Sequence, residues 1–470
     1  MSVAWSIFKI LLKLEIAVGK KLSEIIRSIL EGLTSVEALS RWEIPRPAAR
    51  LFEIVDRVAD FLAEGVAHSI FLSPLRPIIA TAGALSPMIA VPAVYIVYLS
   101  LALISPLPVL DLNVWLAAIL LWSAAILAYA VGAALTGLRC KHGEIEPSAQ
   151  EELLHFSLPL IIAGALGLTV NYMRIGAIPL LYPELRRHDG FWMISYDAYL
   201  LGLSSLVTWM GLKVKRCGLS RTSCLTALAG LMALTLALTI PSGFRLDVFV
   251  AVGTLVTSMW MAGLVRGRQI IAYFGLPGLA IFVMQKVLLM ARAGLSGDPY
   301  YVLVSRAGFT LYSLTTILQA YPPWGMTYGV LLFVNPILTL LGIPRPLVGA
   351  LTGEAVVGLP VAYTTSLVGP IWIDFGLPGV VLVPLAIGVV TGKVFSLARM
   401  GDPAAEVLYP ILLSASLVWV ESGPVHPYLY SFYAPALALI LKRWVENRSV
   451  EQSTDVEKPK NRREEDLEFM

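Results

Sequence analysis

A small set of arginines is the first feature of this sequence that could do chemistry. They stand outside the long apolar runs of the chain: Arg174, Arg186, Arg187, Arg245, Arg292, Arg306 and Arg345. Arginine is always charged, and its planar guanidinium presents a fork of donors that matches phosphate oxygens. Several of these side chains converging on one cavity would bind a diphosphate.

Each of these arginines has an ordinary alternative role, because a long charged side chain can reach the membrane surface or pair with Asp or Glu. That alternative is favoured for Arg186 and Arg187, which stand in a polar loop beside acidic residues. The binding role is favoured for Arg245, which stands in a very short turn, and for Arg306, which lies among otherwise uncharged residues.

A general base acting on a hydroxyl would have to be a carboxylate or an imidazole. The carboxylates on the predicted outer side of the membrane, the side that also carries these arginines, are Asp111, Glu184, Asp189, Asp247, Asp298, Glu354, Asp374 and Glu421. Asp374 precedes a Gly-rich phrase at the start of an apolar run, and Glu354 is alone in apolar surroundings, so we predict that one of these two is catalytic. A helix-capping role fits Asp374 equally well. Of the histidines, His426 ranks above His188 because it shares a short turn with Glu421.

Several familiar motifs are missing from the sequence. It contains no Gly-rich phosphate loop, no paired Cys/His site, no Gly-x-Ser-x-Gly elbow and no Asp-x-Asp pair. We therefore predict no metal site and no cofactor. A metal-independent reaction with a lipid-linked donor fits the sequence better than one with a nucleotide-linked donor.

The composition requires a lipid bilayer around these residues. Of the chain, 57% is hydrophobic and only 14% is charged, which a soluble surface could not accommodate. Runs long enough to cross about 30 Å of hydrocarbon recur, namely 114–135, 153–170, 225–240, 246–265 and 376–390. The prediction is an all-α, polytopic transmembrane helical bundle of about ten or more spans.

Three regions follow from the pattern of charge. Residues 1–76 place lysines and apolar residues at helical spacing, which favours an amphipathic helix on the cytoplasmic leaflet or a soluble helical cap. Residues 77–442 form the transmembrane catalytic domain, and residues 443–470 are predicted to be a disordered, charged cytoplasmic tail. Within the domain, residues 291–374 form a long outer segment with a helix over 300–319, a Pro/Gly-rich turn and an apolar stretch over 330–341.

The positive-inside rule sets the orientation of the chain in the cell membrane. Placing both termini in the cytoplasm puts basic clusters into the inner loops. These clusters include Arg139, Lys141, Lys213, Lys215, Arg216, Arg221, Arg266, Arg268, Lys393 and Arg399. The candidate arginines and carboxylates then lie on the outer side.

Three stretches in order along the chain resemble the oligosaccharide repeat unit polymerases, the O-antigen polymerase-like membrane proteins. The first is RIGAIPLL at residues 174–181. The second couples SGFR at 242–245 to SR at 305–306 and continues to IPR at 343–345. The third is TTS at 364–366 followed by IDFGLPG at 373–379.

This resemblance implies a bundle similar to other lipid-dependent (GT-C-like) glycosyltransferases. The implied reaction transfers a growing glycan from a polyprenyl diphosphate onto the next lipid-linked repeat unit at the outer face. Arg245, Arg306 and Arg345 would grip diphosphate and stabilise the leaving group, with Arg174 and Arg292 as further substrate-binding residues. Asp374 or Glu354 would orient or deprotonate the acceptor hydroxyl. Trp324 and Tyr328 could stack on sugar rings or belong to an interfacial aromatic belt.

Two other functions remain open on the sequence. A flippase or transporter of lipid-linked oligosaccharide would also contact anionic carriers, but such proteins place ionisable residues at mid-membrane, whereas only Lys286 and Asp197 interrupt the spans here. A ligase that moves glycan to another acceptor is barely separable by sequence. The expected partners are lipid-linked oligosaccharides and membrane lipids, with a flippase or chain-length regulator as possible protein partners and no nucleic acid.

Overall fold

The structure is a computed structural model that describes most residues between 83 and 457. The described ranges are 83, 85–105, 111–137, 147–180, 182, 190–217, 221–265, 278, 299–341, 343, 348–358, 364, 366–424 and 429–457. The predicted N-terminal helix lies outside them, as do Arg186, Arg187, Arg292 and Arg345.

Within these ranges the chain forms helices and no β-strand. The α-helices are α1 Pro87–Leu103, α2 Leu112–Gly137, α3 Pro147–Ile175, α4 Gly190–Cys217, α5 Arg221–Thr239, α6 Arg245–Met261, α7 Pro299–Ala320, α8 Asn335–Leu340, α9 Val348–Val357, α10 Val368–Arg399, α11 Pro403–Ser422 and α12 Ala434–Glu457. Short turns of 3-10 or π geometry cover Ile240–Ser242, Val330–Val334 and Leu429–Tyr433.

Four of the described helices are long and apolar enough to cross a membrane. They are α2, the part of α3 from Glu152 to Ile175, α10 and α11. A helix satisfies its backbone hydrogen bonds internally, which hydrocarbon surroundings require. The predicted all-α, polytopic helical architecture is confirmed, whereas the number of ten or more spans stays a prediction.

Glycines allow α2 and α10 to pack backbone against backbone. A Cβ atom added at Gly388 would lie 2.2 Å from the carbonyl oxygen of Tyr129, and one added at Gly392 would lie 2.5 Å from that of Ala133. Small residues spaced four apart on a membrane helix permit such close approach and gain van der Waals contact. The spacing of these two glycines in the sequence therefore serves helix packing.

The helices α3 and α4 pack in the same way. A Cβ atom added at Gly164 would lie 2.5 Å from the backbone nitrogen of Tyr199, and one added at Gly202 would lie 2.6 Å from that of Ile161. Each helix thus contributes a glycine to the interface. The two close pairs are α2 with α10 and α3 with α4.

The centre of the bundle is built from α6 and α11, which pack on each other and on α4. Nearly every residue of α6 from Asp247 to Met259 is buried. Hydroxyl groups join these helices: Ser204 on α4 donates to the carbonyl oxygen of Val407 on α11 at 2.8 Å and lies 3.0 Å from the hydroxyl of Ser258 on α6. A buried hydroxyl needs such a partner, so these bonds help to fix how the helices meet.

The bundle has two chemically different ends. At one end, which we call the basic end, α4 finishes near Lys215, α10 finishes at Arg399 and α11 begins. There the carboxylate of Asp402 accepts the first-turn N–H of Ala405 at 3.0 Å and the guanidinium of Arg443 at 2.6 Å. We call the opposite end, where α6 begins and α11 finishes, the site end.

A break in α10 positions the segment that follows α7. Gly376 has φ 61° and ψ −149°, a conformation that favours glycine, and an added Cβ would lie 2.0 Å from the carbonyl oxygen of Pro323. The same carbonyl accepts the N–H of Leu377 at 2.7 Å. Residues 321–329, which we call the docked loop, are thereby held against the break.

Two local elements predicted within residues 291–374 are present in the structure. The helix expected over 300–319 is α7, and it packs against α1, α2, α9 and α10 rather than standing apart from the bundle. The apolar stretch expected over 330–341 forms a π-helical turn followed by α8. Whether the whole of 291–374 lies outside the membrane stays a prediction.

The last helix corrects the prediction of a disordered tail that begins at residue 443. Helix α12 continues to Glu457, so the prediction is wrong for residues 443–457. Arg443 binds both Asp402 and Glu446, the latter at 2.8 Å, and Lys442 lies 3.9 Å from Glu446. Opposite charges three and four residues apart support a helix, although the polar composition by itself indicates disorder. Residues 458–470 lie outside the described ranges.

Replacing Gly388 by Leu should force α2 and α10 apart. We expect the free energy of unfolding to fall by about 1–3 kcal/mol or more, as overpacking does. The measurement is the melting temperature of the purified protein in detergent. Gly230→Leu on α5 is the matched control, because nothing lies within 4 Å of its added Cβ. Equal losses in both variants would contradict the packing argument.

Candidate functional site

Two of the predicted arginines meet at the site end on a single carboxylate. Arg245 donates through Nη2 to Oε1 of Glu421 at 2.5 Å. Arg306 donates to the same oxygen through Nε at 2.8 Å and through Nη2 at 2.5 Å. The three side chains come from three helices, α6, α7 and α11, so the group, which we call the Arg–Glu–Arg cluster, joins these helices at one point.

The local sequence places Arg245 at the first position of α6. The chain turns through Ile240–Ser242 and Gly243, and the hydroxyl of Ser242 accepts the N–H of Phe244 at 3.1 Å. The carbonyl oxygen of Pro241 accepts the N–H of Leu180 at 2.9 Å, which ties this turn to the segment after α3. Arg245 is therefore presented by a short, fixed turn.

Glu421 is held by its own backbone as well as by the arginines. It is the penultimate residue of α11, and its carbonyl oxygen accepts the N–H of Ser366 at 3.0 Å. Ser366 adopts φ 58°, and its hydroxyl accepts the N–H of Val368 at 3.2 Å, at the start of α10. The ends of α10 and α11 thus fix the backbone position of Glu421, while its side chain points to the arginines.

The cluster is enclosed but still reaches solvent. The side chain of Arg245 is 13% exposed, that of Glu421 11% and that of Arg306 25%. Two guanidinium groups and one carboxylate give the three side chains a formal charge of 2 − 1 = +1. Charges act strongly in such partly enclosed surroundings. The arrangement favours an anionic ligand.

A row of hydroxyl groups continues from the cluster. Thr310, one helical turn after Arg306 on α7, donates to the carbonyl oxygen of Arg306 at 3.1 Å. Its hydroxyl lies 3.2 Å from that of Tyr98 on α1 and 3.2 Å from that of Thr364. Thr310 itself is fully buried, so within this row only the partly buried Tyr98 and Thr364 are placed to offer a hydroxyl group to phosphate oxygens or sugar hydroxyls.

Asp374 is placed away from this cluster, in a structural position. It is fully buried at the break of α10. Its carboxylate accepts the N–H groups of Leu331 at 3.1 Å and Leu332 at 2.8 Å, and the hydroxyl of Thr327. These are the free donors at the start of a helical segment, so Asp374 acts as the cap of the segment that begins at Val330. A helix-capping role was one of the two roles predicted for Asp374, and this geometry fits it. The capped segment, however, is the one that begins at Val330 and not α10, which contains Asp374.

The remaining predicted residues lie around the docked loop or at the rim of the bundle. Trp324 and Tyr328 are 68% and 75% exposed. Glu354 is exposed on α9. The pKa of Tyr321 is raised mainly by burial of Tyr321 and also by the negative charge of Glu354. Arg174 is exposed at the end of α3, with its guanidinium 5.2 Å from the ring centre of Phe191. The structure thus brings Arg245 and Arg306 together and leaves these four residues outside the cluster.

A cavity of about 680 Å³ lies at the basic end instead. It opens between the first turns of α3 and α11 and the middle of α4, and its lining is mostly apolar, with Leu153, Phe156 and Val407 among the lining residues. Its position at the far end of the bundle separates it from the arginines. It is therefore not part of the candidate site.

The pairing of Glu421 with the two arginines is not predictable from the sequence pattern. Glu421 was named as an outer carboxylate, but Asp374 and Glu354 ranked above it. The contact joins residues 176 and 115 positions apart, which no local pattern reveals. The usable signal in the sequence is that Glu421 is the one charged residue of α11 after its first turn, since such a charge needs a partner.

Replacing Asp374 by Ala should destabilise the docked segment, because two N–H groups and one hydroxyl lose their acceptor. We expect the free energy of unfolding to fall by about 1–3 kcal/mol for these lost bonds, with faster proteolysis between residues 321 and 340. Glu354→Ala is the exposed control and should change neither measurement. A D374A protein with native stability and proteolysis but no activity would restore the catalytic-base assignment.

The chain was compared with known proteins. The family described as "Putative O-antigen polymerase" matches residues 84–433, more than half of the chain. Neither the curated proteins nor the solved structures gave a significant match. The matched residues include α1, α6, α7, α10 and α11, which carry the Arg–Glu–Arg cluster and the hydroxyl groups next to it. This chain therefore belongs to the O-antigen polymerase family.

Proposed function

We propose that this protein polymerises polyprenyl-diphosphate-linked oligosaccharide repeat units at the outer face of the membrane, as a metal-independent glycosyltransferase. Membership of the O-antigen polymerase family supports polymerisation of repeat units by a membrane enzyme. The observation that carries the rest of the proposal is the convergence of Arg245 and Arg306 on one partly enclosed carboxylate. These arginines are the diphosphate site.

The reaction needs strong stabilisation of its leaving group. The acceptor hydroxyl oxygen forms a bond to the anomeric carbon of the donor glycan, while the bond from that carbon to the diphosphate oxygen breaks. Negative charge then develops on the diphosphate. Guanidinium groups already aimed at this position stabilise the charge without reorganising. We assign to Arg245 and Arg306 the charge stabilisation that a divalent cation supplies in many other transferases.

The distribution of charge supports an outer location for the site. Lys215, Lys393, Arg399 and Arg443 lie at or near the basic end, away from the Arg–Glu–Arg cluster. Basic residues favour the cytoplasmic side of a membrane protein. If the basic end is inside, the start of α1 and Arg443 of α12 lie on the cytoplasmic side. The arginine cluster then faces outward, where finished lipid-linked units are available.

The other predicted residues take secondary roles in this proposal. Trp324 and Tyr328 on the docked loop would contact sugar rings near the site, and Arg174 and Glu354 would lie at its rim. Arg292 and Arg345, outside the described ranges, remain predicted diphosphate ligands. A flippase and a chain-length regulator remain proposed protein partners.

Removal of either clustered arginine should abolish chain growth. In a deletion strain of the native host, wild-type protein should restore long surface glycan, whereas Arg245→Ala and Arg306→Ala should leave single repeat units. We expect a loss of about 100-fold or more in polymerisation rate, as for removal of one oxyanion donor. Arg399→Ala at the basic end, expressed at a matched level, is the control and should restore full length. The measurement is the length distribution of surface glycan.

Other outcomes of this experiment would point to the competing functions. Full-length glycan with both arginine variants would refute the diphosphate site. Accumulation of lipid-linked units on the cytoplasmic side of the deletion strain would favour a transporter. Normal polymer that stays on its lipid carrier and fails to reach a final acceptor would favour a ligase.

A further inference from the structure

The carboxylate of Glu421 occupies the position that an anionic ligand of the two arginines would take. One oxygen of Glu421 accepts three N–H donors, at 2.5, 2.8 and 2.5 Å, from two guanidinium groups. Guanidinium forks bind carboxylate and phosphate with the same geometry. Glu421 is therefore an internal substitute for a phosphate group.

A carboxylate and a diphosphate cannot share these donors without strong repulsion. A diphosphate carries more negative charge than the carboxylate, and like charges in a poorly solvated site repel. The stronger anion should take the guanidinium groups. Only the Glu421 side chain has to move, because its backbone is held by Ser366 and its carboxylate is partly exposed.

When the Glu421 carboxylate loses its contact with the two arginines, its tendency to accept a proton changes. Two adjacent positive charges stabilise the ionised form and make it a poor proton acceptor. Once the arginines bind diphosphate, the carboxylate faces a second anion instead, which favours its protonated form. The binding of substrate would thus convert Glu421 from a counter-ion into a base.

We propose that Glu421 is the general base of the transfer, displaced from Arg245 and Arg306 by the substrate diphosphate. This inference rests on the proposed function. In the step, the carboxylate accepts the proton of the acceptor hydroxyl as the hydroxyl oxygen bonds to the anomeric carbon. The electron pair of the breaking carbon–oxygen bond leaves with the polyprenyl diphosphate, which stays on the two arginines.

The other carboxylates near the site end fit this role less well. Asp374 is fully buried and its oxygens accept three hydrogen bonds from the docked segment. Asp247 is only 1% exposed, so a substrate hydroxyl does not reach it. Glu354 is exposed on α9 and is not bound to either clustered arginine in the structure. Glu421 combines access with direct contact to the diphosphate site.

The test separates binding from turnover with Glu421→Gln. The amide keeps a carbonyl oxygen that accepts from both arginines, so the fold should be retained, and an unchanged melting temperature checks this. Farnesyl diphosphate is the binding probe, with farnesyl monophosphate as its comparison ligand. Without a competing charge, E421Q should bind farnesyl diphosphate about tenfold more tightly, while the polymerisation of lipid-linked units from the deletion strain falls about 100-fold or more.

The controls distinguish failure of this inference from failure of the proposed function. Glu152→Gln at the basic end should behave as wild type in both assays. Normal turnover of E421Q would refute the role of Glu421 as general base. Unchanged or weaker binding of farnesyl diphosphate by E421Q would refute its displacement by diphosphate. Neither result would refute the diphosphate site. Wild-type binding of farnesyl diphosphate by Arg245→Ala and Arg306→Ala would overturn the diphosphate site itself. The Glu421→Asp variant keeps a carboxylate and should therefore recover part of the turnover. A Glu421→Asp variant as inactive as Glu421→Gln would count against a proton transfer to this residue.

Discussion

The shared ion pair of Glu421 with Arg245 and Arg306 constrains this bundle more than any other described interaction at the site end. A charged group removed from water needs a partner, and removing one partner from such a pair leaves an uncompensated charge. The three side chains must therefore lie at the same level of the bundle, at the start of α6, at the end of α11 and two turns into α7. Because α6 and α11 also form the centre of the bundle, their relative position is set by this ion pair at one end and by the Ser204 contacts with Ser258 and Val407 further along.

Van der Waals packing complements this electrostatic constraint. Lipid gives helices no hydrophobic reason to associate, so close packing and interhelical hydrogen bonds hold them together. The glycines of α10 have two different roles. Gly388 and Gly392 allow α2 to pack closely, whereas Gly376 breaks the helix and leaves room for the docked loop. One helix therefore has a closely packed half toward the basic end and an interrupted half toward the site end, where the docked loop covers the irregular backbone.

The sequence predicted the features that depend on local pattern. Apolar runs revealed the helices, and the helix over 300–319 was found nearly to the residue. Arg245 and Arg306 were found because a charge beside apolar runs is conspicuous. The partner of these arginines was not predicted, since it depends on contacts between distant segments. The tail after residue 443 was mispredicted because its charges indicated disorder, whereas Arg443 pairs with Asp402 across the basic end.

Asp374 belongs to a phrase that resembles the family, yet the structure gives it the hydrogen bonds of a helix cap. The phrase around it resembles the family, and the structure gives that phrase a positional requirement: Gly376 for the break and Asp374 for the free N–H groups beyond it. Such a requirement explains a carboxylate at this place by its hydrogen bonds alone. A base must instead be reachable and must change its environment when substrate binds. Of the described carboxylates at the site end, only Glu421 contacts both arginines, so diphosphate binding by these arginines, as proposed, would alter its surroundings most directly.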